Sequence, residues 1–287
     1  MEHYDILIVG GGAAGIAAAK ACIGAKVLLA DRRPELGGVL LQCTHRGFGK
    51  NKTGSEYAAK LIGEFPETVT LALNTTVLSV SENNTAMLSG KTFGRKEISF
   101  SQLILAAGCR EIPAGALPIA GTRPKGIFTA GQMQERMNLH GFMPEGPVVI
   151  LGSGDLGLIM AKQLAQAGLS VTMVEKGRYC GGMIRNQRCL EEFPIRLICA
   201  DTIARIHGEK NICGCTTENG EYLPCKTLLI AVGLRPEREL VETLGHPDWL
   251  HICGNCNTVH PMVEMVVFEG EQAGIAAMEN LRGAYDR

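Results

Sequence analysis

"YDILIVGGGAAGIAAAKACIGAKVLLADR", residues 4–32, decides the fold. A short apolar strand runs into a glycine turn, an alanine-rich helix follows, and a second apolar strand ends in Asp31. Gly10, Gly12 and Gly15 fit G-x-G-x-x-G between strand and helix. The first glycine permits the tight turn. The second lets a pyrophosphate approach the backbone at the helix N-terminus, where unpaired N–H groups and the helix dipole favour negative charge. The third lets helix and strand pack closely. Asp31, 21 residues after Gly10, stands where a carboxylate accepts hydrogen bonds from a ribose.

The pattern returns once. "GPVVILGSGDLGLIMAKQLAQAGLSVTMVEK", residues 146–176, has the same parts in the same order, with Gly152, Gly154 and Gly157 as its glycines and Glu175 as its acid, 23 residues after Gly152. A lone triplet is a weak signal, but two complete β-α-β units imply parallel sheets covered by helices and two dinucleotide sites. One copy being a structural relic remains the alternative. A carboxylate at Glu175 repels a 2′-phosphate, which favours NAD over NADP. Lys176 and Arg178 lie close in sequence and pull the other way unless they are solvated loop charges.

Bulk properties agree with a globular enzyme. The chain has 287 residues, 46% apolar and 20% charged, and a formal net charge of −1. That length suits one large or two medium domains. The charge balance gives no field that would favour nucleic acid or an anionic membrane. Glycine is enriched at 36 residues, many of them clustered, as expected where backbone approaches a ligand. No apolar run has the roughly 18 residues of a membrane span, and the N-terminus lacks the form of a signal peptide, so a cytoplasmic location is expected. Eleven cysteines, odd in number and irregularly spaced, argue against a secreted disulfide framework.

The order of motifs resembles the two-dinucleotide-domain flavoproteins, which include thioredoxin reductase and the pyridine nucleotide-disulfide oxidoreductases. The resemblance rests on the first glycine turn, "LGG" at 36–38, "LILAAG" at 103–108, the second glycine turn, "LLIAVGLRP" at 228–236 and "HICGN" at 251–255. It implies an α/β protein with two Rossmann-like, three-layer domains, the NAD domain inserted in a split FAD domain. The expected boundaries are 1–112 with 247–287 for FAD and 113–246 for NAD(H), and the Pro- and Gly-rich segments 110–126 and 234–249 look like crossings. By the resemblance, FAD is held by Gly10, Gly12, Ala13, Ala14, Gly15, Asp31, Arg32, Gly37, Gly38, Val39, Val77, Ala107, Gly108, Asn255, Met262 and Val263. NAD(H) is held by Gly152, Gly154, Asp155, Leu156, Gly157, Glu175 and Gly233. Asn255 stands where the family usually has an Asp. Pro261 suits the first turn of a closing helix whose dipole faces the flavin, with His260 beside the ring or serving as a cap.

"LGGVLLQCTHRGFG", residues 36–49, asks whether electrons leave through a dithiol. The glutathione-reductase branch has C-x-x-x-x-C after the glycine pair. Here Leu40 and His45 occupy those places, and Cys43 falls between them. The C-x-x-C of the thioredoxin-reductase branch is missing from the second domain, where Cys189 and Cys199 are ten apart. The one C-x-x-C is Cys253 and Cys256. It reads as a redox pair, as half of a metal site with Cys213 and Cys215, or as buried packing. Cys43 is either a thiolate favoured by His45 or Arg46, or a packing residue.

The same stretch is similar to a narrower group: small FAD/NAD-binding oxidoreductases that accompany glycerol-3-phosphate-dehydrogenase-like proteins, and the α subunits of opine oxidases and hydrogen cyanide synthase. That resemblance implies hydride exchange between flavin and nicotinamide, with a partner dehydrogenase subunit or small electron carrier on the other side. An oligomer is compatible with it. Neither an iron–sulfur relay within the chain nor a metal site is expected. Cys43, His45 and His260 are the candidate residues near the flavin.

Overall fold

The computed structural model of the protein describes residues 1–63, 65–91 and 94–285. The chain divides into two compact units, Met1–Arg110 with Arg235–Arg287, and Glu111–Leu234.

The first unit is built on strands β1 (Glu2–Val9), β2 (Val27–Ala30), β3 (Val69–Ala72), β4 (Thr75–Val80), β5 (Thr85–Gly90) and β6 (Gly94–Leu105), in the order β3-β2-β1-β6-β5-β4. β1 pairs in parallel with β2 and β6, and Leu250–Ile252 adds a further parallel strand against the end of β6. β4 and β5 form an antiparallel meander onto the first half of β6. All four residues of β2 are buried, as in a strand covered on both faces. Side chains alternate across the sheet: Ile6, Ile8 and Leu29 join one core layer, and Leu7, Leu28 and Leu105 the other.

Helix α1 (Ala13–Ala21) covers the first layer, and the C-terminal helix Val263–Tyr285 lies on it. The alanine richness of α1 has its reason here. A Cβ at Gly270 would overlap the backbone of Ala14, and one at Gly274 would come 2.7 Å from the Ala21 Cβ. Small residues on both helices let the backbones approach. The C-terminal helix begins at Val263, so Pro261 stands just before it rather than in its first turn.

The second unit has a parallel sheet in the order Arg196–Cys199, Val171–Glu175, Val148–Leu151, Thr227–Ile230, Ile127–Thr129. Helices α2 (Ala130–His140) and α3 (Asp155–Gln166) supply Met133, Leu158 and Leu164 to the core on one face. A smaller sheet of Tyr222–Pro224, Ile212–Thr217, Ile203–Gly208 and Ala120–Gly121 covers the other.

The boundaries differ from the expected 112/113 and 246/247. Residues 235–249 are not a bare crossing: Leu240, Val241, Leu244 and Trp249 pack into the first unit's second layer, Trp249 edge-on to Phe100 at 5.5 Å. Residues 111–126 likewise belong to the second unit, where Ala114, Leu117 and Ile119 enter its core. Among the described residues no helix is long and apolar enough to cross a membrane.

Candidate functional site

In the first unit the glycine turn sits at the carboxyl ends of β1 and β6, where ligands of open α/β sheets bind. Gly10 has φ +110, and any Cβ there would overlap the Ala106 carbonyl. A Cβ at Gly15 would overlap the Gly10 carbonyl. Gly12, in contrast, faces open space, with nothing within 4 Å of a Cβ built on it. The turn is therefore closed toward the sheet and open over the N-terminus of α1, and this shape fits a diphosphate. Asp31 accepts from the Gly11 N–H at 2.5 Å and from the Arg33 N–H at 2.7 Å, which holds it against the turn.

Three more segments converge on that end. The Gly37 N–H donates to the Gly11 carbonyl at 2.8 Å, and a Cβ at Gly38 would come 3.0 Å from the Gly12 Cα. Ala107 and Gly108 follow β6, the Ala107 Cα 3.2 Å from a Cβ built on Gly10. Gly254 packs over Ala14, so the loop carrying Asn255 lies against the start of α1. Val39 and Met262 are exposed, Arg32 is exposed, and Val263 is half-buried against Ala13 and Leu40. Ala13 and Ala14 are buried. Val77 is buried in the second core layer, so its side chain packs rather than facing the turn.

The three candidate residues near the flavin all make contacts within the protein. The Cys43 thiol donates to the Val39 carbonyl at 3.3 Å, and burial pushes it up to about 12, so it is not a thiolate at neutral pH. Arg46, the charge expected to favour a thiolate, is turned to the Asn51 carbonyl at 2.9 Å and to Glu56 at 3.5 Å. His45 packs on Phe48 with ring centroids 5.2 Å apart. The Nε2 of His260 lies 2.7 Å from Glu269 Oε1, and Glu269 Oε2 accepts from the Gly254 N–H at 2.8 Å. The His260 N–H donates to Asn255 Oδ1 at 3.0 Å. His260 thus fastens residues 254–260 to the C-terminal helix.

The C-x-x-C pair is equally settled into the core. Cys256 donates to the Leu105 carbonyl at 3.2 Å and Cys253 to the same oxygen at 3.8 Å. Both thiols are free and buried, one in each core layer. Burial raises both, Cys256 to about 11. Among the described residues no group of three or more His, Cys, Asp or Glu side chains gathers to hold a metal ion, Cys213 and Cys215 included.

The second unit repeats the turn with different side chains. Gly152 has φ +102, a Cβ on Gly157 would lie 2.5 Å from the Gly152 carbonyl, and Gly154 faces open space. Beside it is a 510 Å³ cavity lined by Gly152, Gly154, Glu175 and Gly233 among the expected residues. Leu117, Pro118 and Ile119 form an apolar wall, and Lys176, Thr202, Ile203 and Glu218 are also among its lining. Glu175 Oε2 accepts from the Ser153 N–H at 2.8 Å and hydroxyl at 2.7 Å, and Oε1 from the Gly177 N–H at 2.7 Å. Burial alone would raise this carboxyl, but those hydrogen bonds outweigh it and hold it below the ordinary carboxylate value. Asp155 does not line the cavity. Its Oδ1 accepts from the Met183 N–H at 2.8 Å and from Asn186 Nδ2 at 2.6 Å, tying residues 180–187 onto the turn. Leu156, the second residue of α3, is half-buried against the core.

Leu117–Ile119, Thr202 and Glu218 carry no motif and were not legible as site residues. Their one common signal is position after strands or turns of the second unit, which becomes visible only once the topology is known.

Two glycine turns of this shape, each at the carboxyl edge of its own parallel sheet, define a two-dinucleotide-domain protein. The chain belongs to the pyridine nucleotide-disulphide oxidoreductase family, whose family model matches residues 4–248. Members of that family are FAD-dependent oxidoreductases that use NAD(P)H. An opine oxidase subunit of Agrobacterium tumefaciens is 31% identical over 202 residues, covering 64% of this chain and 40% of that protein. The NAD(P)H coenzyme A polysulfide/persulfide reductase of Pyrococcus horikoshii is 26% identical over 264 residues, covering 84% and 56%. The chain thus spans roughly half the length of these relatives. The thioredoxin reductase of T. acidophilum has the same fold, with a TM-score of 0.79 at 19% identity over 98% of this chain and 99% of that one.

Proposed function

We propose that the first unit holds FAD and the second takes NAD(H), and that the protein passes hydride between nicotinamide and flavin on behalf of a partner dehydrogenase subunit or small electron carrier. FAD supplies reversible two-electron chemistry once bound. The chain's own part is to seat the two dinucleotides on two separate turns and to keep the Cys253 and Cys256 thiols buried away from the exchange. Gly10, Gly12, Gly15, Asp31 and the segments around Gly38, Gly108 and Asn255 form the first seat, and Gly152, Gly154, Glu175 and Gly233 line the second.

The observation that carries this reading is the state of the only C-x-x-C. A dithiol that accepts electrons needs an accessible, ionisable thiol. Cys253 and Cys256 are buried, raised, and hydrogen-bonded to the Leu105 carbonyl. On this reading electrons leave from the flavin itself to a partner. The opine oxidase relative is itself one subunit of its oxidase, which supports a multi-subunit setting. A stand-alone enzyme acting on a small molecule at the flavin is the competing reading. The persulfide reductase relative favours it, and the raised Cys43 thiol opposes it.

Anaerobic titration of the flavin-loaded protein with NADH tests the proposal. The flavin band should bleach at one hydride equivalent per flavin with no further uptake, in the wild type and in Cys253→Ser alike. A second equivalent, lost in Cys253→Ser, would restore a dithiol outlet and overturn it.

A further inference from the structure

We propose that Glu218 is a second determinant of nucleotide choice, acting with Glu175 to exclude a 2′-phosphate from the cavity of the second unit. The inference rests on the assignment of that cavity to NAD(H).

Glu175 and Glu218 both line the 510 Å³ cavity, though 43 positions separate them in sequence. The backbone brings them to the same end. The Asp201 N–H donates to the Glu175 carbonyl at 3.1 Å, and the Glu218 N–H donates to the Thr202 carbonyl at 2.8 Å. Two hydrogen bonds and one peptide step therefore join the two acids, and Thr202 and Ile203 line the wall between them. The Glu175 carboxylate is held ionised by Ser153 and Gly177. Glu218 is exposed, on the turn that follows the strand Ile212–Thr217. Among the described residues that line the cavity, Lys176 alone is basic, one positive charge against two negative ones.

This distribution suits a ribose and disfavours a phosphate on it. Ribose hydroxyls donate to carboxylates, whereas a 2′-phosphate brings up to two further negative charges toward them. Glu175 alone stands at the position that sequence reasoning associates with this choice. With Lys176 beside it, a single carboxylate would leave the end of the cavity close to neutral. Glu218 makes it net negative.

The test is binding of ADP-ribose and its 2′-phosphorylated form to the flavin-loaded protein, wild type and Glu218→Gln, by calorimetry at low and moderate salt. Neither probe carries nicotinamide, so redox chemistry does not enter. Wild type should prefer ADP-ribose. Glu218→Gln should bind the phosphorylated form about three- to tenfold more tightly, with ADP-ribose unchanged within about twofold and the gain shrinking as salt rises. Glu218 is exposed and joins the fold through its backbone N–H to the Thr202 carbonyl, so Gln should be tolerated. An unchanged ratio in Glu218→Gln, with Glu175→Gln shifting it, would overturn the role of Glu218 and leave the cavity assignment standing. Equal weakening of both probes would also overturn it, in favour of a structural role. Wild type that binds neither probe would remove the cavity assignment and the inference together.

Discussion

The two glycine turns share a backbone and differ in what holds it. The first is made by packing. Gly11, Ala13 and Ala14 are small, the first turn of α1 has no acid, and Gly270 of the C-terminal helix is pressed against Ala14. The second is made by polar contacts. Fully buried Ser153 joins Glu175 to the Gly181 N–H, and Asp155 begins α3 with a carboxylate bonded to residues 183 and 186. A ligand entering the first turn meets a helix N-terminus with no acid in its first turn, Asp31 being drawn to the Gly11 N–H behind it. One entering the second meets a negative charge that partly cancels the helix dipole. On the proposed reading this is the difference between a cofactor kept for the life of the protein and a substrate that must come and go.

The comparison can be broken most severely by adding a methyl group. Gly15→Ala sets a Cβ into the Gly10 carbonyl and should destabilise the first unit by about 3 kcal/mol, seen as a fall in Tm and loss of flavin. Gly12→Ala, at an N-cap with φ −79 and open space in front, should change stability by less than about 0.5 kcal/mol while still lowering flavin retention. Equal losses of Tm in the two variants would mean that the open face of the turn is not where the diphosphate sits.

A middle-sized effect separates the two turns by charge. Asp155→Asn keeps an acceptor for the Met183 N–H and Asn186, and removes the negative charge. NADH should bind about threefold more tightly, with flavin retention unchanged, because one unfavourable charge at the helix N-terminus is worth under about 1 kcal/mol. Weaker NADH binding would show that fastening residues 180–187 matters more than the charge.

The smallest effect is in acid. Burial lowers the His251 pKa from 6.5, so the unfolded chain takes up a proton first. The first unit then has its full stability above about pH 6.5 and loses it as pH falls toward the folded value. In the second unit, Glu175 is lowered from 4.5 despite its burial, so its contribution persists to about pH 4.5 and is lost only as pH falls through its folded value. Between these windows, hydrogen exchange should quicken around β6 and Leu250–Ile252 before it does around Val171–Glu175. His251→Gln, facing Gln102 at 2.9 Å in the wild type, should remove that lead.

Both β-α-β units were legible because strand, turn and helix each leave a local mark, and those marks agree. The boundaries were not. Leu240, Val241, Leu244 and Trp249 are scattered among Pro, Gly and charges, with no period to show that they enter a core. His260 was legible as a residue near the first turn but not as a fastener, because its partner Glu269 lies nine positions on, across a helix start. Cys43 carried two readings since burial, which decides between thiol and thiolate, has no sequence signal at a single position. Glu218 was invisible for a simpler reason: only the smaller sheet of the second unit folds it back toward Glu175.

The helix pair that covers the first unit bears on how the chain is made. Residues 13–21 emerge early, yet their outer face is completed by Val266, Ala273, Ala277 and Leu281 from the far side of an entire inserted unit. The inserted unit is contiguous and can close its core as soon as residue 234 has cleared the ribosome. The outer unit must wait, its alanine helix uncovered, through another fifty or so residues of synthesis. During vectorial synthesis the unit begun first is therefore expected to be the later of the two to become native, and on the proposed assignment of FAD to it, flavin capture would follow the closing of the inserted one.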